Sequence, residues 1–220
     1  MRFFELINEG VNDPAIFKTV FIVGGPGSGK TYISKQLGLN ALGYVTINSD
    51  LAFEYLMKKN NLNSKMPDDE TQEREIVRKR AKDITANKSA LAIDGRLGLF
   101  IDATGAKFQR VNDLKTKFEE LGYDCYLIIV NTQLDIAMNR NKNRERTVPD
   151  DVVIDSWNSV QNNIGMFAKI FNNVSIIDNN GDDGVTNDQI NNTYKKILSF
   201  TKMPPNKPIA RQWIQKQHMS

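Results

Sequence analysis

The sequence predicts an α/β fold: a parallel sheet with helices on both faces, as a three-layer sandwich. Short, continuously apolar runs recur along the 220 residues, among them Val20–Val23, Leu97–Asp102, Tyr126–Val130 and Val174–Ile177. Continuous apolarity marks strands buried on both faces. Longer amphipathic stretches lie between them, and that alternation is the pattern of a parallel sheet with crossover helices. The first run leads directly into Gly24-Gly25-Pro26-Gly27-Ser28-Gly29-Lys30-Thr31 and then into helix-forming sequence.

In order, residues 1–18 read as a short amphipathic helical extension, followed by a turn at Asn12-Asp13-Pro14. The first strand and the glycine loop come next, then a helix over Tyr32–Leu37 that Gly38 ends. A second short strand covers Gly43–Ile47, and a helix follows over about Leu51–Lys59. Pro67, with Asp68, Asp69 and Glu70 behind it, predicts the start of a helix running to about Leu91. Leu97–Asp102 is an apolar strand ending in an acid. Phe108, Val111, Leu114, Phe118 and Leu121 recur at helical spacing before Gly122. After the Tyr126–Val130 strand, a helix begins near Gln133 and ends in basic residues. Pro149 opens a long helix with Val153, Trp157, Val160, Ile164 and Phe171 on one face. A fifth strand, Val174–Ile177, precedes a capping box at Thr186 and Gln189. The main domain is expected over residues 19–200. The tail over 201–220, with three prolines, reads as a loosely held surface segment.

Composition narrows the function classes. A net charge of +3 is too small by itself to argue for nucleic acid. A single cysteine, Cys125 in an apolar run, excludes an internal disulfide and a cysteine-based zinc cluster. His218 is the one histidine, so a His-centred metal site or triad has no members to draw on. No apolar run is long enough to span a membrane, and the start of the chain has acids where a signal peptide would be apolar. A reducing cytoplasm suits these features.

The glycine loop fits G-x-x-x-x-G-K-[ST] in full. In that pattern the backbone over Gly25, Pro26, Gly27, Ser28 and Gly29 turns around a phosphate at a helix N-terminus, each residue but Pro26 offering an N–H group. Lys30 supplies charge for the β- and γ-phosphates, and the Thr31 hydroxyl is placed to ligate Mg²⁺. The ligand expected is a nucleoside triphosphate. Asp50, beyond the second strand, has two readings: a helix N-cap before Leu51, or a carboxylate that takes the proton of an attacking hydroxyl. Asp102 ends an apolar strand as a Walker-B acid does, which holds Mg²⁺ directly or through water. Arg140, Arg144 and Arg146 lie in MNRNKNRERTVP. On a helix the first two share a face, suited to clamping a triphosphate, with a lid hinging at Val148-Pro149. Arg78, Lys79, Arg80 and Lys82 form a second basic cluster. It reads as a solvated face or as a groove for a polyanionic acceptor.

GGPGSGKT, INSD, FIDATG and RNKNRERTVPDDV together resemble the kinase domain of bacteriophage polynucleotide kinase and the related zeta-toxin-type kinases, over roughly Phe21 to Asp178. The resemblance implies an adenylate-kinase-like P-loop fold with strand order 2-3-1-4-5 and an ATP- and Mg²⁺-dependent kinase. It matches Lys30 and Thr31 to the phosphate and metal positions and Asp50 to the catalytic base. Asp102 matches the strand-end aspartate, and Arg140 and Arg144 match lid arginines. The host cytoplasm is the implied location if the chain is phage-encoded. One departure is Phe53: polynucleotide kinases have an arginine at that position to hold the acceptor's phosphate, whereas Asp50-x-x-Phe53 resembles zeta-toxin kinases of nucleotide sugars. The expected acceptor is therefore a nucleic-acid 5′-hydroxyl or, alternatively, a small nucleotide-type molecule. A reading of another class is a non-catalytic NTP-binding switch that docks a protein partner through the N-terminal segment or the tail.

Overall fold

In a computed structural model of the chain, the described residues are 10–63, 67–144, 147–180 and 184–219. The expected N-terminal helix falls largely on residues 1–9, outside them. A 3₁₀ turn at Gly10–Asn12 leads into a turn that buries Ala15, Ile16 and Phe17.

The strands are β1 (Lys18–Val23), β2 (Tyr44–Ile47), β3 (Gly98–Ala103), β4 (Asp124–Asn131) and β5 (Val174–Asp178). All pair in parallel in the order β2-β3-β1-β4-β5, as expected. The helices are α1 (Lys30–Leu37), α2 (Ser49–Lys59), α3 (Thr71–Asp94), α4 (Phe108–Glu120), α5 (Leu134–Lys142), α6 (Asp150–Ile170), α7 (Asn187–Lys202) and α8 (Pro208–His218). No helix among the described residues is long and apolar enough to cross a membrane.

The strands alternate side chains between two cores. Phe21, Val23, Leu99, Leu127 and Ile129 pack with Val111 and Phe118 of α4 and Phe167 of α6. Val20, Ile22, Phe100, Ile128 and Val130 face Ile33 and Leu37 of α1 and Ile197 and Phe200 of α7. A third, smaller cluster joins Phe53, Leu56 and Met57 of α2 to Val77 and Ala81 of α3. This hairpin hangs on the β2 edge, where Lys88 Nζ donates to Thr46 O at 3.0 Å.

Gly38 ends α1 in the left-handed region (φ 54°), and Thr186 with Gln189 closes a full capping box on α7. Other expectations are corrected. Pro67 does not open an α-helix: Glu70 N–H donates to Pro67 O at 3.2 Å, closing a 3₁₀ turn over Asp68–Glu70, and α3 begins at Thr71. The tail is not loosely held. Its residues form α8, in which Ala210 is fully buried and Trp213 meets the Phe17 ring edge-on, 5.5 Å between centroids. Asn206 N–H donates to Asp124, which also pairs with Lys18 at 2.8 Å, so the tail closes over a buried ion pair. Gly122 permits this approach: its φ is 99°, and a Cβ there would lie 2.8 Å from Ile209 Cγ2. The sequence signal for α8 was Pro208 at the first helical position, with two apolar pairs, Ile209-Ala210 and Trp213-Ile214, four residues apart.

Candidate active site at the strand ends

The parallel register brings the carboxyl ends of the strands to one edge, where ligands of such sheets bind. Val23 lies beside Ala103 and Ile22 beside Asp102, and Ile47 beside Ile101. From the end of β1 the chain enters the glycine loop and then α1.

The loop has no room for side chains at Gly24, Gly27 and Gly29. A Cβ on Gly27 (φ 76°) would lie 2.2 Å from Ala137 O, and one on Gly29 (φ 89°) would lie 2.3 Å from Asn179 Nδ2. At Gly24 a Cβ would meet Ser28 Oγ at 2.7 Å and Val130 O at 2.8 Å. Ser28 Oγ is buried and makes no hydrogen bond. Lys30 turns back onto the loop, donating to Gly24 O at 2.6 Å and Gly25 O at 3.3 Å. An amine held on two loop carbonyls at a helix N-terminus is placed to exchange them for the oxygens of an anion. Burial pushes its pKa below the ordinary lysine range; Asp102 and Asp50 oppose that shift and Arg144 adds to it.

Asp102, next to last in β3, accepts from Asn48 Nδ2 at 2.8 Å. Burial raises its carboxyl above the usual carboxylate range, with Lys30 opposing and Asp50 reinforcing the rise. Asn48 also removes one of the two readings of Asp50, that of the helix N-cap. The N-cap of α2 is Asn48, whose Oδ1 accepts from Asp50 N at 2.8 Å and Leu51 N at 3.4 Å. Asp50 therefore sits inside the first turn with its carboxylate outward, 64% exposed and 3.8 Å from Arg78 Nη1. Sequence reading passed over Asn48, although a strand-end Asn two residues before an acid is a strong cap signal.

The basic segment differs from expectation. α5 ends at Lys142, so Arg140 and Arg144 do not share one helix face. Arg140 donates to Asn179 O at 3.0 Å and reaches its Oδ1 at 3.5 Å, while Asn179 Nδ2 donates to Ser28 O at 2.7 Å. Arg140 is thus tied behind the glycine loop through Asn179, a buried β5-end residue that no sequence signal singled out. Arg144 is exposed just beyond α5. Arg146 lies outside the described residues. The expected hinge at Val148 is instead a clasp: Asn141 Nδ2 donates to Val148 O at 2.7 Å and its Oδ1 accepts from Val148 N at 3.1 Å. Trp157 adds a brace, donating from Nε1 to Thr132 O at 2.6 Å with its Cα beside Gly25.

Comparison with known proteins agrees with this architecture. An AAA domain matches residues 20–165. The chain belongs to that family. Among solved structures, this AAA domain is similar to AvrRxo1-ORF1 with AvrRxo1-ORF2 and sulphate ions (TM-score 0.59, 14% identity, 91% of this chain and 71% of that one). A candidate kinase from Chloroflexus aurantiacus aligns at TM-score 0.55 and 12% identity over 83% of this chain and 97% of the other. A chain of the Pnkp1/Rnl/Hen1 RNA repair complex aligns at TM-score 0.52 and 17% identity over 68% of this chain. This chain covers 46% of that protein's length. No curated protein sequence matches. The AAA domain has a P-loop kinase-type fold.

Proposed function

We propose that the chain is an ATP-dependent phosphotransferase that moves the γ-phosphate of ATP to a hydroxyl. The observation that carries this reading is the glycine loop with Lys30 held on Gly24 O and Gly25 O, next to a strand end where Asn48 ties Asp102 to the first turn of α2 and its Asp50. A nucleotide-binding switch needs the first contact with phosphate but has no use for an outward carboxylate at its edge.

The donor side fits a triphosphate. The loop's glycines leave backbone N–H groups clear, Ser28 Oγ is unpartnered, and Lys30 exchanges its loop carbonyls for phosphate oxygens. Thr31 and Asp102 are oxygen donors of the kind that hold Mg²⁺, which when bound neutralises phosphate charge and orients the triphosphate. Arg144 supplies further positive charge for the transferring group, and Arg140 fixes the start of the lid segment by its bonds to Asn179. In the transfer, the acceptor's oxygen forms a bond to the γ-phosphorus as its proton passes to Asp50. The bond to the β,γ-bridging oxygen breaks, and its electron pair leaves with ADP. The acceptor we favour is a nucleic-acid 5′-hydroxyl, as in polynucleotide kinases. A small nucleotide-type acceptor is the second reading, favoured by the aromatic Phe53 beside the base.

Transfer of labelled γ-phosphate from MgATP to 5′-hydroxyl oligonucleotides, nucleosides, nucleotides and nucleotide sugars tests the proposal. Label on an acceptor, reduced about 10²–10⁴-fold by Asp50→Asn with ATP affinity kept, is expected for a general base. ATP bound but no label on any acceptor would favour the switch.

A further inference from the structure

We propose that Asn163 of α6 is a positioning residue for the triphosphate: through the loop after β3 it holds the start of the glycine loop in place when Lys30 turns to the phosphates. The inference rests on the donor half of the phosphotransferase reading and adds a residue that acts on it from behind.

Asn163 is polar in an apolar setting. It is 7% exposed, and Val160 and Phe167, one turn to either side on α6, are buried. An amide left unpaired there would be costly. Its Nδ2 donates to Gly105 O at 2.9 Å and to Ala106 O at 3.1 Å, so one side chain satisfies two carbonyls of the loop that follows β3. Two carbonyl partners require the amide nitrogen, not its oxygen, on that side. Gly105 brings this loop tight against β1: its φ is 74°, and a Cβ there would lie 2.9 Å from Val23 Cβ. The residue before it, Thr104, accepts from Gly24 N–H at 3.2 Å. A chain of hydrogen bonds and contacts therefore runs from α6 through the β3 loop to the first residue of the glycine loop.

Gly24 is held from two sides. Thr104 O takes its N–H, and Lys30 Nζ takes its carbonyl at 2.6 Å. A triphosphate in the loop draws Lys30 off that carbonyl toward phosphate oxygens. The tie through Thr104 then carries the entry of the loop, and a fixed entry keeps the backbone N–H groups aimed at the phosphates without a further ordering cost. Asn163 thus contributes more to the nucleotide-bound protein than to the free one, and affinity reads that difference. A buried amide with a purely structural role would stabilise both states alike.

The test uses the full chain as wild type, Asn163→Ala, Asn163→Gln and Val160→Ala. The last opens a cavity in the same helix and leaves the amide in place. Calorimetry with MgATP, well below the Tm of each variant, is the readout. Asn163→Ala should weaken MgATP binding by about tenfold, the scale of one lost hydrogen-bonding group. Asn163→Gln, which keeps the donor, should retain part of the affinity. Val160→Ala should lower the Tm and bind MgATP as the wild type does. Equal affinity in wild type and Asn163→Ala overturns the proposal, and so does the same loss in Val160→Ala. Should the Asn163 variants fail to fold, amide hydrogen exchange of Gly24 in the wild type decides. Its N–H should stay protected when MgATP binds, and protection lost on binding overturns the proposal. If MgATP binds but no acceptor is ever labelled, the phosphotransferase reading fails, while binding weakened by Asn163→Ala still supports the positioning role. A wild type that binds no MgATP overturns both.

Discussion

The two halves of the candidate site are built differently. The donor half sits at the centre of the sheet, between β1 and the neighbouring strands, where the glycine loop is braced from every side. Asn179 holds Ser28 O, Thr132 Oγ1 also donates to Ser28 O at 3.2 Å, and Trp157 holds Thr132. The half proposed to take the acceptor sits at the β2 edge on a two-helix hairpin with its own small core. Its Asp50–Arg78 pair is long, at 3.8 Å, and partly exposed. The difference teaches that a loop braced across the whole sheet and a hairpin with its own small core can share one sheet. The loop depends on the register of the whole sheet, whereas the hairpin depends mainly on α2 packing against α3.

The comparison can be broken most directly at Lys30. Lys30→Met is expected to reduce turnover by about 10³-fold, the scale of losing a principal donor to a developing charge. Because burial disfavours the Lys30 ammonium, the same change should leave the Tm unchanged or raise it. A lower Tm would mean that the cradle is held together by its lysine rather than by the braces around it.

Phe53→Ala acts on the other half. Removing a buried phenyl ring costs about 3–5 kcal/mol. Here the loss should fall on the hairpin, with faster hydrogen exchange in α2 and α3 and unchanged protection in β1 and β4. Uniform loss of protection across the sheet would show that the hairpin is not a separate unit.

The smallest effect sharpens the contrast from within the sheet core. Burial pushes the Cys125 thiol up to about 12, so it stays protonated and unreactive to alkylation at pH 8, in wild type and in Phe53→Ala alike. A thiol whose pKa is higher folded than unfolded holds its proton longer in the folded state. Its stabilisation is complete below the unfolded value and is lost as pH rises from there through the folded value. Cys125→Ala should therefore flatten the fall in stability above about pH 9, by about 1 kcal/mol per pH unit. Rapid alkylation at pH 8 in Phe53→Ala would show that loosening the hairpin also opens the core.

Much of the molecule was legible in the residue pattern because the signals are local. The apolar runs gave the strands, Gly38 and the Thr186–Gln189 box gave helix ends, and the glycine loop gave the strand-to-helix turn that sets Lys30 and Thr31 at the start of α1. The position of Asp102 at a strand end was equally local. The alternation of strands and helices determined a parallel sheet, and the motif resemblance supplied its order. What only the tertiary structure decided are pairings between residues far apart in the chain. Asn48 meets Asp102 across 54 positions, and Asn179 meets Ser28 across 151. Arg140 turns from an expected phosphate clamp into a partner of Asn179, and Arg78 comes to stand over Phe53 beside Asp50. No periodicity or composition encodes such contacts. They arise because the sheet fixes where each strand ends, and the side chains at those ends then pair to satisfy their charge and hydrogen-bonding capacity.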